Sequence, residues 1–505
     1  MATSEATENY FKRLAHKNIP ANSIRTFGKT GIAVSSIGFG GYRIHQDSIE
    51  NAKALRYALL NGFNLIDTSS NYTDGGSEML IGNLLQEMFD RQELSRDEVV
   101  VVSKVGYVQG QNMQLAQKNE ANGRPFPEMV KYMEGCWHCI HPEFLQDQLS
   151  RSLDRLQLTH LDAYLLHNPE YFLSHARKNN TDQQTAQAEY YRRVKVAFEW
   201  MEEKVAEGKI KAYGISSNTF PLPAADFEFT SLEKTIELAN DVAADNTFQV
   251  IQFPFNLFET GACLEKNQAG GSKTLLQIAQ ENKIATLVNR PLNAMNDGGM
   301  LRLASFRETK TEIIEREFGE RKKFISELEK RFKKEFLAKI PDELPKENFE
   351  RVFSVSEQLS NALNAFQNWQ HWDQVKQNNV VPQIFSYLHF LNEKWLDNSK
   401  WKQWSESYVR DLGDFLDTIT KQYENQAQER SKEISGELDK LAPDLKTTET
   451  LSQKNLQVLT SVPGINCVLL GMRRTRYVED AFAALTQPAI SHAEKLLSDF
   501  DKKSS

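Results

Sequence analysis

Short apolar runs alternate with amphipathic stretches along most of this chain. The runs lie near 36–39, 63–67, 98–104, 161–166, 211–216, 249–252, 284–289 and 466–471, each short enough for a buried strand. Helical spacing of apolar positions fills the gaps near 48–61, 77–90, 142–157, 190–208, 230–243, 273–282, 450–461 and 476–486. Eight strand-then-helix units in this order predict an α/β fold, a (β/α)8 TIM barrel.

Two interruptions break the rhythm. Residues 105–141 form a long loop rich in Gln, Asn and Gly. A far larger segment, 300–449, separates the seventh strand from its helix. A structureless loop of that length is implausible in a compact domain, and its apolar spacing is helical. Ile314, Phe318, Ile325, Leu328, Phe332 and Phe336 make one stripe, with Glu317/Arg321 and Glu329/Lys333 spaced for i,i+4 pairs. A second runs through Phe349, Val352, Phe353, Leu359, Leu363 and Phe366, and a third through Trp404, Tyr408, Leu412, Phe415 and Ile419. Five of the seven tryptophans lie here, and Pro341, Pro345 and Pro382 divide the segment into separate helices. An inserted all-helical subdomain with its own core follows. The expected organisation is an N-terminal extension at 1–22, a barrel from 23–299 and 450–490, the helical insertion at 300–449, and a polar tail at 491–505. The stretch from Thr26 to Gly31 reads as a hairpin turn ahead of the barrel.

Composition narrows the function classes. With 40% hydrophobic residues the 505-residue chain can build a core, and a formal charge of −8 does not provide the basic face that nucleic-acid binding requires. No run reaches the ~18 apolar residues of a membrane span. The first residues lack the basic and apolar regions of a signal peptide, and four cysteines fit a reducing compartment, so a cytoplasmic location is expected.

The candidate chemistry stands at the downstream ends of three apolar runs. Asp67 and Tyr72 follow Phe63–Ile66, Lys104 closes a run of valines, and His167 closes Leu161–Leu166. An unpaired lysine there would be costly to bury, so Asp67 is its expected partner. An ammonium beside Tyr72 would stabilise the phenolate and lower the phenol pKa, and His167 would hydrogen-bond the same substrate oxygen. Such a set suits protonation of an oxygen as hydride reaches its carbon. The run Cys136-Trp137-His138-Cys139-Ile140-His141 lacks a second ligand pair for zinc, so no metal is expected. Trp137, His138 and His141 are instead candidates for lining a substrate pocket.

These residues resemble the aldo/keto reductase superfamily. Asp67-Thr68-Ser69-Ser70-Asn71-Tyr72, Lys104 and Leu165-Leu166-His167-Asn168-Pro169 match its Asp–Tyr–Lys–His tetrad in order. Gly38-Phe39-Gly40-Gly41, Tyr213-Gly214-Ile215-Ser216-Ser217-Asn218 and Val468-Leu469-Leu470-Gly471-Met472-Arg473 match as well. Cys136 to Tyr171 is similar to galactose-dehydrogenase-like members. The resemblance implies NADP(H) rather than NAD(H), with Tyr72 as proton donor or acceptor. It places Asn168, Ser216, Ser217, Gln252 and Asn289 at the nicotinamide and Arg290 near the pyrophosphate. Gly471, Arg473 and Arg474 fall at the 2′-phosphate, and Asp480 at the adenine. Asn289 stands where the family commonly stacks an aromatic ring, and Gly471 and Met472 replace a common Lys-Ser pair. The implied substrate is a small carbonyl compound or sugar. An alternative keeps the barrel and cofactor for regulation or scaffolding, with the helical insertion as a surface for self-association or protein contact.

Overall fold

The computed structural model describes residues 1–296 and 299–504; residues 297, 298 and 505, which fall within the expected barrel and tail segments, lie outside the described residues. Eight parallel strands close a barrel: β1 (Ile37–Gly40), β2 (Leu65–Asp67), β3 (Val100–Val105), β4 (Ala163–His167), β5 (Tyr213–Ser216), β6 (Phe248–Pro254), β7 (Ala285–Asn289) and β8 (Cys467–Leu470). Each strand pairs with its sequence neighbours and β8 closes on β1. The crossovers carry α1 (Ile49–Leu59), α2 (Gly76–Asp90), α3 (Pro142–Leu156), α4 (Gln183–Ala206), α5 (Leu232–Val242), α6 (Leu275–Glu281), α7 (Leu451–Ser461) and α8 (Thr475–Leu485). Strands buried on both faces read as near-continuous apolar runs, which is why their positions were visible in the sequence.

Close packing of β5 on β6 depends on Gly214, where an added Cβ would stand 1.7 Å from the Val250 carbonyl oxygen. Leu65, Val100, Val102, Leu165, Val250, Leu287 and Leu469 fill the barrel interior together with Ala2, Phe27, Ile32 and Val34. The latter group comes from the N-terminus and from the hairpin of Ile24–Thr26 with Ala33–Ser35, which flanks the expected turn.

Three segments depart from expectation. The N-terminal extension is packed, not merely polar: Ser4–Arg13 is a helix capped by Thr3, with Tyr10 and Phe11 buried and the Tyr10 hydroxyl donating to the Leu59 carbonyl. The long loop after β3 contains a helix, Gly110–Ala121, and a small antiparallel sheet of Tyr107–Val108, Cys136–His138 and Val130–Met133. The C-terminal residues form a helix, Ala493–Ser504, that buries Leu496, Leu497 and Phe500.

The chain divides into two compact units, 1–298 with 438–505, and 299–437. The second boundary precedes the expected 449 because one helix, Ser399–Leu441, runs through it. The second unit is predominantly helical, and Ile325, Phe332, Phe336, Phe353, Trp372, Trp401, Trp404 and Tyr408 form its core. The two expected i,i+4 charge pairs are replaced by contacts between helices: Glu317 pairs with Lys421 at 3.0 Å, Arg321 with Asp414 at 3.0 Å, and Lys333 with Glu350. Pro382 does not separate two helices as expected: Trp369–Val375, a π-helical turn at Lys376–Val380 and Val381–Lys394 follow one another without a break, and the wider turn just ahead of Pro382 accommodates its missing N–H.

Candidate active site

The lysine near the end of β3 is wholly enclosed. Lys104 Nζ lies 2.6 Å from both carboxylate oxygens of Asp67 at the end of β2, and donates to the Thr68 carbonyl at 2.8 Å. Asp67 also accepts from Gln252 Nε2 at 2.8 Å, and Gln252 Oε1 accepts from Ser216 Oγ at 2.9 Å. Every polar end of this chain of contacts is satisfied, as burial demands. Burial lowers the Lys104 ammonium pKa, and the Asp67 charge opposes that shift.

Tyr72 follows β2 by five residues and sets its ring 4.9 Å from Lys104 Nζ, edge-on to His167 at 5.9 Å between centroids. The expected lowering of its phenol is reversed. Burial pushes the pKa well above the usual value, and the Asp67 and Tyr42 charges add to the shift. The physical reason is first the dry surroundings of the phenol and then the Asp67 carboxylate, which also engages the ammonium through both oxygens. Tyr72 is therefore a protonated phenol at neutral pH, and its hydroxyl has no hydrogen-bond partner among the described residues. His167 is held neutral by burial, with the Lys104 ammonium pressing in the same direction. Its Nδ1 lies 3.0 Å from Ser69 Oγ, which also reaches Asn71 Oδ1 at 2.7 Å. When the Ser69 hydroxyl turns toward Nδ1, the imidazole proton resides on Nε2 and is free to donate.

Asn168 adopts a left-handed backbone (φ 51°), and its side-chain amide donates to Tyr107 Oη at 2.7 Å. Tyr107 packs edge-on against His167 at 4.7 Å and donates onward to Tyr171 Oη at 2.9 Å. Neither tyrosine stands out in the sequence. Tyr107 occupies the loop that was read as irregular, and its role shows only once that loop folds back over β4.

Of the three expected pocket residues, one reaches this cluster. His138 is buried and its Nε2 lies 2.7 Å from the His167 carbonyl oxygen, so it supports His167 from behind. Burial lowers its pKa to about 4. Trp137 points to the other face of its strand, where Lys131 lies over its ring. His141 caps α3, accepting from the Glu143 amide through Nδ1.

The remaining expected positions divide in two. Gln252 and Ser216 are committed to Asp67, Ser217 Oγ contacts Thr219 Oγ1 at 3.0 Å, and Asp480 accepts from Thr450, Ser452 and Gln453 at the start of α7. Asp480 thus braces the side chains at the start of α7, whose N-cap is Thr450. Arg473 and Gly471 are exposed after β8, Arg474 lies 3.5 Å from Glu50, and Arg290 pairs with Glu259 at 2.5 Å. Asn289 Oδ1 is buried without a hydrogen-bond partner among the described residues.

The sequence profile described as the aldo/keto reductase family matches residues 36–310. The chain belongs to the aldo/keto reductase family. Aldo-keto reductase YhdN of Bacillus subtilis is 24% identical over 265 residues, covering 51% of this chain and 59% of that protein. An aldose reductase of Encephalitozoon cuniculi is 28% identical over 144 residues, covering 28% and 35% respectively. The chain thus spans less than two thirds of these curated relatives. Among solved structures, an aldo/keto reductase from Klebsiella pneumoniae in complex with NADP and acetate aligns over 95% of both chains at 16% identity and a TM-score of 0.42.

The site of this family member carries unsatisfied groups of the kind a nicotinamide dinucleotide would engage. Asn289 Oδ1 and Glu170 Oε2, near the downstream ends of β7 and β4, are buried polar atoms that make no well-formed hydrogen bond among the described residues. Arg473 has no ion pair among the described residues, which leaves a guanidinium open to a phosphate. Asn168 keeps its amide oxygen open. These groups fit such a cofactor.

Proposed function

We propose that this chain is an NADP(H)-dependent oxidoreductase that interconverts an aldehyde or ketone and its alcohol. The observation that carries this reading is the wholly buried Asp67–Lys104 ion pair beneath the Tyr72 ring, with a neutral His167 at its edge. A bound nicotinamide would supply or accept the hydride. Asn168 and Asn289 would hold its carboxamide end, and Arg473 with Arg474 the 2′-phosphate. Gln252 and Ser216 act one step back, fixing the Asp67 carboxylate on Lys104.

In this reading Tyr72 gives its proton to the oxygen of the carbonyl undergoing reduction and takes it back in the reverse direction. Lys104 stabilises the charge left on the phenol oxygen, and His167 donates from Nε2 to the same substrate oxygen. The Asp67 carboxylate keeps the ammonium charged in a dry site. Tyr72→Phe should abolish turnover of a panel of aldehydes and ketones while NADPH still binds, as read by quenching of protein fluorescence. Retained turnover in that variant discards the mechanism.

A further inference from the structure

Glu170 lies two residues beyond Asn168 and plays no part in the proton chemistry above. It is 2% exposed. One carboxylate oxygen accepts from the Asn218 amide at 2.8 Å, while the other is buried and makes no well-formed hydrogen bond among the described residues, the Ser217 hydroxyl and the Glu170 amide offsetting only part of the cost of burial. The Asn168 amide in turn donates to the Ser216 carbonyl at 2.7 Å. Glu170 therefore sits within the seam that joins the ends of β4 and β5. No cation pairs with it among the described residues: Arg193 of α4, which lies over the Phe172 ring, is bound to Glu189 and to the Glu128 carbonyl. Tyr107, Tyr171 and Tyr190 are raised phenols and stay neutral. Glu228 is a second acid, itself occupied by Arg177 at 2.6 Å and by the Ser174 hydroxyl. Lys104 is neutralised by Asp67.

A glutamine would brace Asn218 equally well, since its amide oxygen also accepts. What only a carboxylate adds is a negative charge in a low-dielectric seam, and that charge costs free energy unless a cation approaches. The oxidised nicotinamide ring is cationic and the reduced ring is neutral. Resting on the cofactor reading above, we propose that Glu170 discriminates between the two forms of the cofactor: its buried carboxylate at the β4–β5 seam strengthens binding of the oxidised, cationic nicotinamide relative to the reduced one.

Burial raises the Glu170 pKa to about 7, so the discriminating charge is present above neutrality and absent below it. Both neighbouring histidines stay neutral across this range, His138 with a pKa near 4 and His167 well below its usual value. The test is the dissociation constants of NADP+ and NADPH for the full chain at about pH 6 and about pH 8.5, by calorimetry. Taking the ratio of the two cancels titration of the 2′-phosphate, which both forms carry. The NADPH-to-NADP+ ratio of dissociation constants should rise on the order of fivefold from the acidic to the alkaline condition. NADP+ binding near neutral pH should also release more protons than NADPH binding, read from the buffer dependence of the binding heat. In Glu170→Gln the ratio should stay at the acidic wild-type value throughout. A wild-type ratio that does not change with pH overturns the proposal without any variant, and so does a rise that survives in Glu170→Gln. Failure of both nucleotides to bind would instead remove the cofactor reading on which it rests.

Discussion

Lys104 shows how one side chain can be both necessary and costly. Its 0% exposure takes an ammonium out of water, and Asp67 and the Thr68 carbonyl supply the hydrogen bonds that offset most of that loss. Lys104→Met should cost about 3–5 kcal/mol in chemical denaturation, because Asp67 is left as an unpaired buried charge. Adding Asp67→Asn should recover much of that stability but none of the turnover. A double variant no more stable than the single one would show that the pair is not the electrostatic unit described. Asp67, Lys104 and His167 were legible because they close apolar runs, where a polar group is costly unless it finds a partner, and Tyr72 because it follows the first of those runs closely. The direction of the phenol shift was not legible, since it depends first on how completely the phenol is buried and then on the Asp67 charge, and spacing along the chain reveals neither. That reversal has a consequence for pH. In the proposed mechanism reduction needs the protonated phenol, so its rate should hold through neutral pH and fall only above the ordinary phenol value of about 10. Alcohol oxidation needs the phenolate and should climb with pH over the same range. A reduction rate that already falls between about pH 7 and 9 would restore the depressed phenol expected from the sequence.

At the scale of elements, the barrel strands were readable and the loops between them were not. Periodicity marks a segment that is buried in a regular way, and the helix Gly110–Ala121 with its small sheet has only short buried stretches. His138 illustrates the loss. Read as a pocket residue, it in fact passes over Gly106 to reach the His167 carbonyl. Gly106 permits this at φ 155°, and a Cβ there would lie 2.5 Å from His138 Nε2 and 2.6 Å from the His167 oxygen. Gly106→Ala should therefore lower stability by ~1–3 kcal/mol and depress turnover by displacing His167, while binding of the nucleotide is less affected. Thermal unfolding together with a kcat and KM split checks both parts. Unchanged kcat would mean that the His138 contact does not govern the imidazole. The N-terminal and C-terminal helices escaped notice for a similar reason: each buries a narrow apolar stripe, Tyr10 and Phe11 in one and Leu496, Leu497 and Phe500 in the other, amid mostly polar residues.

On the scale of the whole molecule, the helical unit has a core of its own, and Trp372, Trp401 and Trp404 are fully buried within it. Because five of seven tryptophans lie in this unit, intrinsic fluorescence reports mainly on its unfolding. Glu329 gives that unit a pH signature. It is 8% exposed, its carboxyl accepts from the Ser356 amide at 3.0 Å and from the Ser356 hydroxyl, and no cation faces it among the described residues. Burial raises its pKa to about 7, whereas an unfolded glutamate titrates near the model value of 4.5. Between those values the folded unit binds more protons than the unfolded one, so stability is greater at the acidic end and falls as pH rises through 7. The fluorescence-detected transition should lie higher at about pH 5 than at about pH 8, by on the order of 2 kcal/mol. Glu329→Gln keeps both contacts to Ser356 without a charge to bury, so it should flatten this dependence and raise stability at the alkaline end. If the variant unfolds with the same pH slope as the natural chain, the slope comes from another group and the assignment to Glu329 is lost.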